Sequence, residues 1–254
     1  MYYIYVKISK IIERNIFIKL IVNIMPRKST KEPLKTFYSD EFKYEVGIDE
    51  VGRGPMFGRV YTAAVILPKN NEFDHSQMKD SKRFSSKKKI NQVAEYIKQN
   101  AIAYSVSYEN EDTIDKINIL QATHSSMHKA VREILNKNKI DENVLLLVDG
   151  NNFKPYMCFN KNTGLYSQIN HKCIEGGDNK YTAIAAASIL AKVERDKYIE
   201  DLCKEYPHLD ERYDLLSNKG YGTKAHMSGI KEHGITAWHR RTYGICKNYS
   251  VSEM

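Results

Sequence analysis

Apolar and polar positions change their period several times along this 254-residue chain. Tyr44–Asp49 (YEVGID) is a short apolar run with β character. Arg59–Leu67 (RVYTAAVIL) is β-branched and apolar and is stopped by Pro68, and Ala101–Tyr108 (AIAYSVSY) alternates. These segments predict three strands in an antiparallel meander, with the glycine-rich Val51–Gly58 as the first turn. Helical spacing follows over Ser85–Asn100 and Thr113–Asn138; in the second, Ile117, Leu120, Met127, Ala130, Val131 and Ile134 recur on one face. Asn143–Val148 (NVLLLV) is continuously apolar and ends in Asp149-Gly150, the pattern of a strand covered on both faces in a parallel pair. His171–Glu175 predicts a last short strand, Thr182–Tyr206 a long helix that is Ala-rich at its start, and Thr223–His233 another helix. The fold class is therefore α/β, and no repeat or low-complexity tract interrupts it.

Composition changes the picture little. The chain is 42% hydrophobic and 28% charged, which suits a soluble domain with a sizeable core. Its net charge of +8 is uneven: residues 1–40 hold eight Lys/Arg against three Asp/Glu, while the rest holds 31 against 28. A basic balance suits an anionic partner, but the nearly neutral body makes this a weak indication. Residues 26–40, with Pro26 and Pro33, read as a linker, and residues 1–40 as an N-terminal extension without fixed structure. Lys7, Lys10, Glu13, Arg14 and Lys19 break the apolar stretch Ile4–Ile24, which makes a poor secretory signal; a dispensable tail, with Met25 as an alternative start, is the favoured reading, and an amphipathic targeting helix is the other. There is no run of about 18 apolar residues, so no membrane span is expected. Cys158, Cys173, Cys203 and Cys246 show neither CxxC nor zinc-finger spacing, and four reduced thiols in a cytosolic or nuclear protein are expected, with the cytoplasm as the localisation chosen.

Four carboxylates stand where strands end or loops meet helices: Asp49 and Glu50 after the first strand, Asp149 after the fourth, and Asp178 just before the Ala-rich helix. Ligand sites of α/β sheets gather at strand ends. Clustered carboxylates repel one another, and hard divalent ions prefer oxygen ligands. One geometric condition attaches. Adjacent strand residues point to opposite faces, so Asp49 and Glu50 reach one site only if the backbone turns there, and Gly52 and Gly54 supply such a turn. Asp196 lies on the helix four residues after Lys192, and a helical ion pair competes with its use as a metal ligand. His124, His128, His226, His233 and His239 are candidate proton shuttles but read mainly as surface histidines, with His239, Arg240 and Arg241 as a backbone-contact or structural cluster.

Gly52-Arg53-Gly54 follows the first two carboxylates directly. Glycines permit close backbone approach, and a ribose 2′-hydroxyl, both donor and acceptor, is what distinguishes RNA from DNA. At these residues the chain resembles ribonuclease HII. The resemblance runs from residue 44 to 247 in six ordered blocks: VGIDEVGRGPMFG (46–58), DSKRFSSKKK (80–89), INILQATHSSMHKAV (117–131), LLVDGN (146–151), GGDNKYTAIAAASILAKVERD (176–196) and GYGTKAHMSGIKEHGITAWHRRTY (220–243). It implies an RNase H-like fold with a five-stranded mixed sheet flanked by helices over residues 41–210, and a small helical C-terminal region over 211–254 that contributes to substrate binding. It implies that Asp49, Glu50, Asp149 and Asp178 are catalytic and bind two Mg²⁺ or Mn²⁺ ions. It further implies that Gly52, Arg53 and Gly54 read the 2′-hydroxyl and that Tyr221 stacks on the neighbouring deoxyribose. Ser81 and Lys82 would touch phosphate, and Asn118 and Gln121 the uncut strand.

The activity implied is hydrolysis of RNA in RNA–DNA hybrids, with nicking 5′ of single ribonucleotides in duplex DNA to leave 3′-hydroxyl and 5′-phosphate ends. The partners implied are RNA–DNA hybrid duplexes and ribonucleotide-containing DNA, with the protein monomeric. The sister family ribonuclease HIII lacks the arginine of the glycine loop, and Arg53 argues against it. A non-catalytic hybrid-binding module conflicts with the four carboxylates, and a transposase-type nuclease with the glycine loop and the GYGT block. Val51, Phe57, Arg59 and Trp238 depart from the family pattern and bear on substrate preference rather than chemistry.

Overall fold

The computed structural model describes residues 32–70, 72–140, 143–160 and 164–251. Strands β1 (Tyr44–Val51), β2 (Val60–Ile66) and β3 (Ala103–Glu109) form the antiparallel meander. Strand β4 (Val144–Asp149) pairs parallel with the free edge of β1. After a separate hairpin of β5 (Met157–Asn160) and β6 (Leu165–Gln168), strand β7 (Asn170–Ile174) pairs parallel with β4. The mixed sheet thus has the order β3-β2-β1-β4-β7.

Three long helices cover the sheet: α1 (Lys87–Asn100), α2 (Glu111–Lys137) and α3 (Thr182–Glu205). On one face, Val46, Ile48, Leu146 and Val148 pack against Met127, Ala130, Val131 and Ile134 of α2. On the other, Ala63 and Val65 meet the alanines of α3, which in turn meet Ile90, Ala94 and Ile97 of α1. A helix covered on both sides has no polar stripe to spare, which explains the run Ala185–Ala187. Gly47 shows how close α3 comes: a Cβ there would lie 2.1 Å from the carbonyl carbon of Ala183. The buried β4 run fits its sequence. Each Leu or Val removed from water there contributes about 1.5–3 kcal/mol.

Beyond α3 come α4 (His208–Tyr213), α5 (Leu215–Asn218) and α6 (Lys224–His233). Leu209, Tyr213, Leu215, Ile230 and Ile235 join Ile199 and Cys203 of α3 in a third apolar cluster that also takes in Met56 and Phe57. The C-terminal region is therefore packed onto the loop that leaves β1. The described residues from Leu34 onward form one compact unit.

Several expectations are adjusted. Residues 32–40, expected to lack fixed structure, are placed: Lys35 donates its N–H to the Lys180 carbonyl (2.8 Å) and accepts from the Thr182 N–H (3.0 Å). Lys69 fastens the same segment, donating to the carbonyls of Ser39 (2.6 Å) and Phe42 (2.8 Å). Residues 1–31, including Met25 and Ile4–Ile24, lie outside the described residues. Helix α2 is not continuous: Asn118 has φ 65° and ψ 165°. Its Oδ1 accepts from the Gln121 N–H at 3.1 Å and so caps the second half of the helix. The β5–β6 hairpin has no counterpart among the expected elements; α4 straddles residue 211, and α5 falls inside the helical C-terminal region expected over 211–254. All four cysteines are free, and no helix among the described residues is long and apolar enough to cross a membrane.

Candidate active site

The parallel pairing of β1 with β4 sets Ile48 opposite Val148. Asp49 and Asp149 come next, so they lie level at the C-terminal ends of adjacent strands and point to the same face. That face is covered by α3. Asp49 is 5% exposed, and its Oδ1 accepts the Glu50 N–H at 2.6 Å. Ser188 of α3 also hydrogen-bonds its carboxylate. Asp149 accepts the Gly177 N–H at 2.6 Å. Asp178 stands in the tight turn Gly177–Asn179 ahead of α3, where its Oδ1 accepts from Asn179 Nδ2 at 3.0 Å.

Glu50 arrives differently from the expectation. Strand β1 stays regular through Val51, with Glu50 opposite Thr62, and the chain turns only at Gly52 (φ 92°). Glu50 therefore points to the α2 face, as does Thr62, whose hydroxyl pairs with that of Ser126 at 2.7 Å. The Glu50 carboxylate meets the Arg53 guanidinium at 3.3 Å.

The electrostatics couple these groups. Burial pushes the Asp49 carboxyl well above its usual range, and the charges of Glu50 and Asp149 push it further. Burial raises Glu50, opposed by Arg53. Burial raises Asp149 too, opposed by the Gly177 N–H, and Asp178 adds to the rise. Each side chain is turned toward its own donor, and among the described residues no three His, Cys, Asp or Glu converge closely enough to hold an ion as they stand. The donor set is nonetheless all carboxylate oxygen, the chemistry that Mg²⁺ and Mn²⁺ select. A cation among them would relieve the repulsion that raises these pKa values.

The glycine loop is held from behind by two buried arginines. Arg195 of α3, 1% exposed, donates to the carbonyls of Lys219 (2.9 Å), Phe57 (3.3 Å) and Arg59 (3.4 Å). A Cβ on Gly52 would sit 2.4 Å from its Nε. Arg240, 0% exposed, donates to the carbonyls of Gly52 (2.6 Å), Gly58 (2.8 Å) and Arg53 (3.0 Å). The expectation of a structural cluster at Arg240 fits this geometry, whereas Arg195 was missed. A buried arginine carries no sign in the sequence that separates it from a surface one.

Tyr221 is 47% exposed and lies beside the loop: a Cβ on Gly54 would be 3.4 Å from its ring. Its backbone is fixed by a buried histidine pair. His226 Nδ1 donates to the Tyr221 carbonyl (3.0 Å), so its Nε2 is the acceptor for Nε2–H of His239 (3.1 Å). His239 Nδ1 then accepts the Thr236 N–H (2.9 Å). Both rings are neutral in this chain of bonds. Burial, and then His226, press the His239 pKa down to about 3. These two histidines are therefore interior, not surface, groups; His124 is buried as well, and His128 and His233 are half-buried, so none of the five expected surface histidines is fully exposed.

The remaining expected residues divide. Ser81 is buried, and its hydroxyl pairs with that of Ser188 (3.0 Å), which places it behind Asp49 rather than at the surface. Lys82 is exposed. Asn118 and Gln121 are exposed at the kink of α2. Asp196 forms the expected helical ion pair with Lys192. Arg59 lies between the rings of Tyr108 (4.1 Å) and Tyr198 (4.4 Å).

A five-stranded mixed sheet between helices, with acidic side chains at the C-terminal ends of two adjacent parallel strands, is an RNase H-like fold. The sequence matches the family model described as Ribonuclease HII over residues 46–246. Among curated relatives, a Ribonuclease HII of Parabacteroides distasonis is 42% identical over 208 residues, covering 82% of this chain and 94% of that one. A Ribonuclease HII of Phocaeicola vulgatus is 41% identical over 208 residues, with 82% and 92% covered. The solved ribonuclease H2 from Pyrococcus horikoshii OT3 has the same fold, with a TM-score of 0.61 at 22% identity over 81% of this chain and 96% of its own. The chain belongs to the ribonuclease HII family. It is a divalent-metal-dependent endonuclease that hydrolyses the RNA strand of RNA–DNA hybrids.

Proposed function

We propose that the enzyme nicks 5′ of single ribonucleotides embedded in duplex DNA, as well as cutting longer hybrids, and leaves 3′-hydroxyl and 5′-phosphate ends. The observation that carries this reading is the placement of Asp49 and Asp149 level with each other at the ends of adjacent strands, with the Gly52–Gly54 turn following three residues after Asp49. Cutting chemistry and a backbone that can approach a ribose then share one groove. Asp49, Asp149 and Asp178, with Glu50 reaching round the end of β1 from the α2 face, where its charge already acts on Asp49 and that of Asp149 acts on it, would hold two Mg²⁺ or Mn²⁺ ions, which when bound would supply Lewis-acid activation of the attacking water and charge neutralisation at the leaving 3′-oxygen.

The chain's own residues do the rest. Ser188 and the Gly177 N–H orient Asp49 and Asp149. Ser81 braces Ser188. Gly52, Arg53 and Gly54 read the 2′-hydroxyl, and Tyr221, next to Gly54, stacks on the adjoining deoxyribose. Lys82 contacts phosphate, and Asn118 and Gln121 face the uncut strand. Positioning and charge neutralisation dominate phosphoryl transfer, so no protein general base is assigned. The enzyme acts as a monomer in the cytoplasm, where its four free thiols stay reduced, and has no membrane partner.

The test compares three labelled duplexes: one ribonucleotide in DNA, a long RNA–DNA hybrid, and DNA alone, each with Mg²⁺ and with EDTA. A metal-dependent nick just 5′ of the lone ribonucleotide is expected. Cutting of the long hybrid alone would replace this reading with a ribonuclease HIII-like specificity.

A further inference from the structure

We propose that Arg240 is a specificity-positioning residue: it turns the carbonyls of Gly52 and Arg53 inward and thereby presents the N–H groups of Arg53 and Gly54 to the ribose oxygen in the groove. The inference rests on the reading of the glycine loop given above. Arg240 Nη2 and Nη1 donate to two successive carbonyls, those of Gly52 (2.6 Å) and Arg53 (3.0 Å), while Nε holds Gly58 (2.8 Å). Tyr243 adds its hydroxyl to the Arg53 carbonyl at 3.0 Å.

No peptide bond in the described chain is cis. In a planar trans peptide the C=O and the following N–H point in opposite directions. With the Gly52 carbonyl drawn inward, the Arg53 N–H points out. With the Arg53 carbonyl drawn inward, the Gly54 N–H points out. Residues 53 and 54 are the exposed part of this loop, and neither amide donates to a protein acceptor among the described residues. Two adjacent outward donors suit a hydroxyl oxygen, and deoxyribose has none at that position.

The choice of arginine also has a reason. Its planar fork matches two neighbouring carbonyls, which a lysine ammonium does not. The group stays cationic although burial presses its pKa down to about 10. A positive charge at the carbonyl ends of both peptides polarises their N–H ends toward an acceptor. A buried cation held by carbonyls, with no carboxylate bonded to it among the described residues, is a costly packing element and makes sense as a device for aiming peptides.

The experiment is equilibrium binding in EDTA, by anisotropy of a labelled duplex holding one ribonucleotide and of the same duplex in all-DNA form. Arg240→Lys should lower the ribonucleotide preference about tenfold, leave all-DNA binding within about twofold, and retain a cooperative melt. An unchanged preference in a folded Arg240→Lys protein overturns the proposal. If Arg240→Lys does not fold, Tyr243→Phe decides instead, since it removes one donor from the Arg53 carbonyl. It should lower the preference by a smaller factor, and an unaltered preference again overturns the proposal. Absence of any preference in the wild type would instead refute the loop's proposed reading of the 2′-hydroxyl.

Discussion

The buried histidine pair predicts a specific acid sensitivity. His239 is 0% exposed and has its pKa pressed to about 3, whereas an unfolded histidine titrates near 6.5. The folded value is the lower one. The stabilising contribution is therefore complete above about pH 6.5 and is lost as pH falls toward 3, because only the unfolded chain takes up the proton. Between pH 7.5 and 5.0 the loss from this one group is about 2 kcal/mol. For a chain of this size each kcal/mol moves Tm by about 2–4 °C, so His239 accounts for a fall of roughly 4–8 °C. His226, also lowered by burial, acts in the same direction. Asp49, Glu50 and Asp149 act in the opposite sense, because their raised values relieve strain on acidification. The informative quantity is thus the difference between wild type and His239→Gln. The assay is the melting temperature of both proteins at pH 7.5 and 5.0 in metal-free buffer. The variant should start less stable and lose markedly less on acidification. Equal losses in the two proteins would refute the neutral, hydrogen-bonded pair.

Other consequences follow from the same geometry. Asp49→Asn removes a buried carboxylate that its neighbours repel, so the metal-free protein should gain ~1–3 kcal/mol at pH 7 and lose the rise in Tm that Mn²⁺ gives the wild type; melts with and without Mn²⁺ check both. Gly47→Ala drives a Cβ to 2.1 Å from the Ala183 backbone and should cost about 3 kcal/mol or more, read by urea denaturation. Tyr221→Ala should slow cutting at a lone ribonucleotide by about 5–150-fold, with aromatic stacking on a nucleotide base as the upper guide for this stack on a sugar, while Tyr221→Phe stays close to wild type; Mn²⁺ binding should be unchanged in both.

Legibility from sequence followed burial. The β4 run Val144–Val148 is apolar throughout because helices cover both faces, and its length and ending in Asp149 marked both a strand and a site. The β5–β6 hairpin left no such mark. Leu165 and Tyr166 are exposed and the segments are only four residues long, so no period develops. The break at Asn118 was hidden because Ile117 and Leu120 continue the helical spacing across it. At the site, the carboxylates and the glycine loop could be read because their residue types and order are distinctive. The frame around them could not. Arg195 and Arg240 reach carbonyls more than 130 positions away, such as Arg59 and Gly52, and the inward turn of Ser81 depends on where α3 comes to lie. The likeness of Glu50 to its neighbour Asp49 concealed that the two leave β1 on opposite faces.

The most direct test of the central claim is the initial rate of nicking, in saturating Mg²⁺, of a labelled duplex holding one ribonucleotide. It would be measured for the wild type and for Asp49→Asn, Glu50→Gln, Asp149→Asn and Asp178→Asn. Four carboxylates acting as one metal-holding group predict a loss of at least about a hundredfold in every folded variant. Cutting by Asp49→Asn or Asp149→Asn within a few-fold of the wild type would contradict the account.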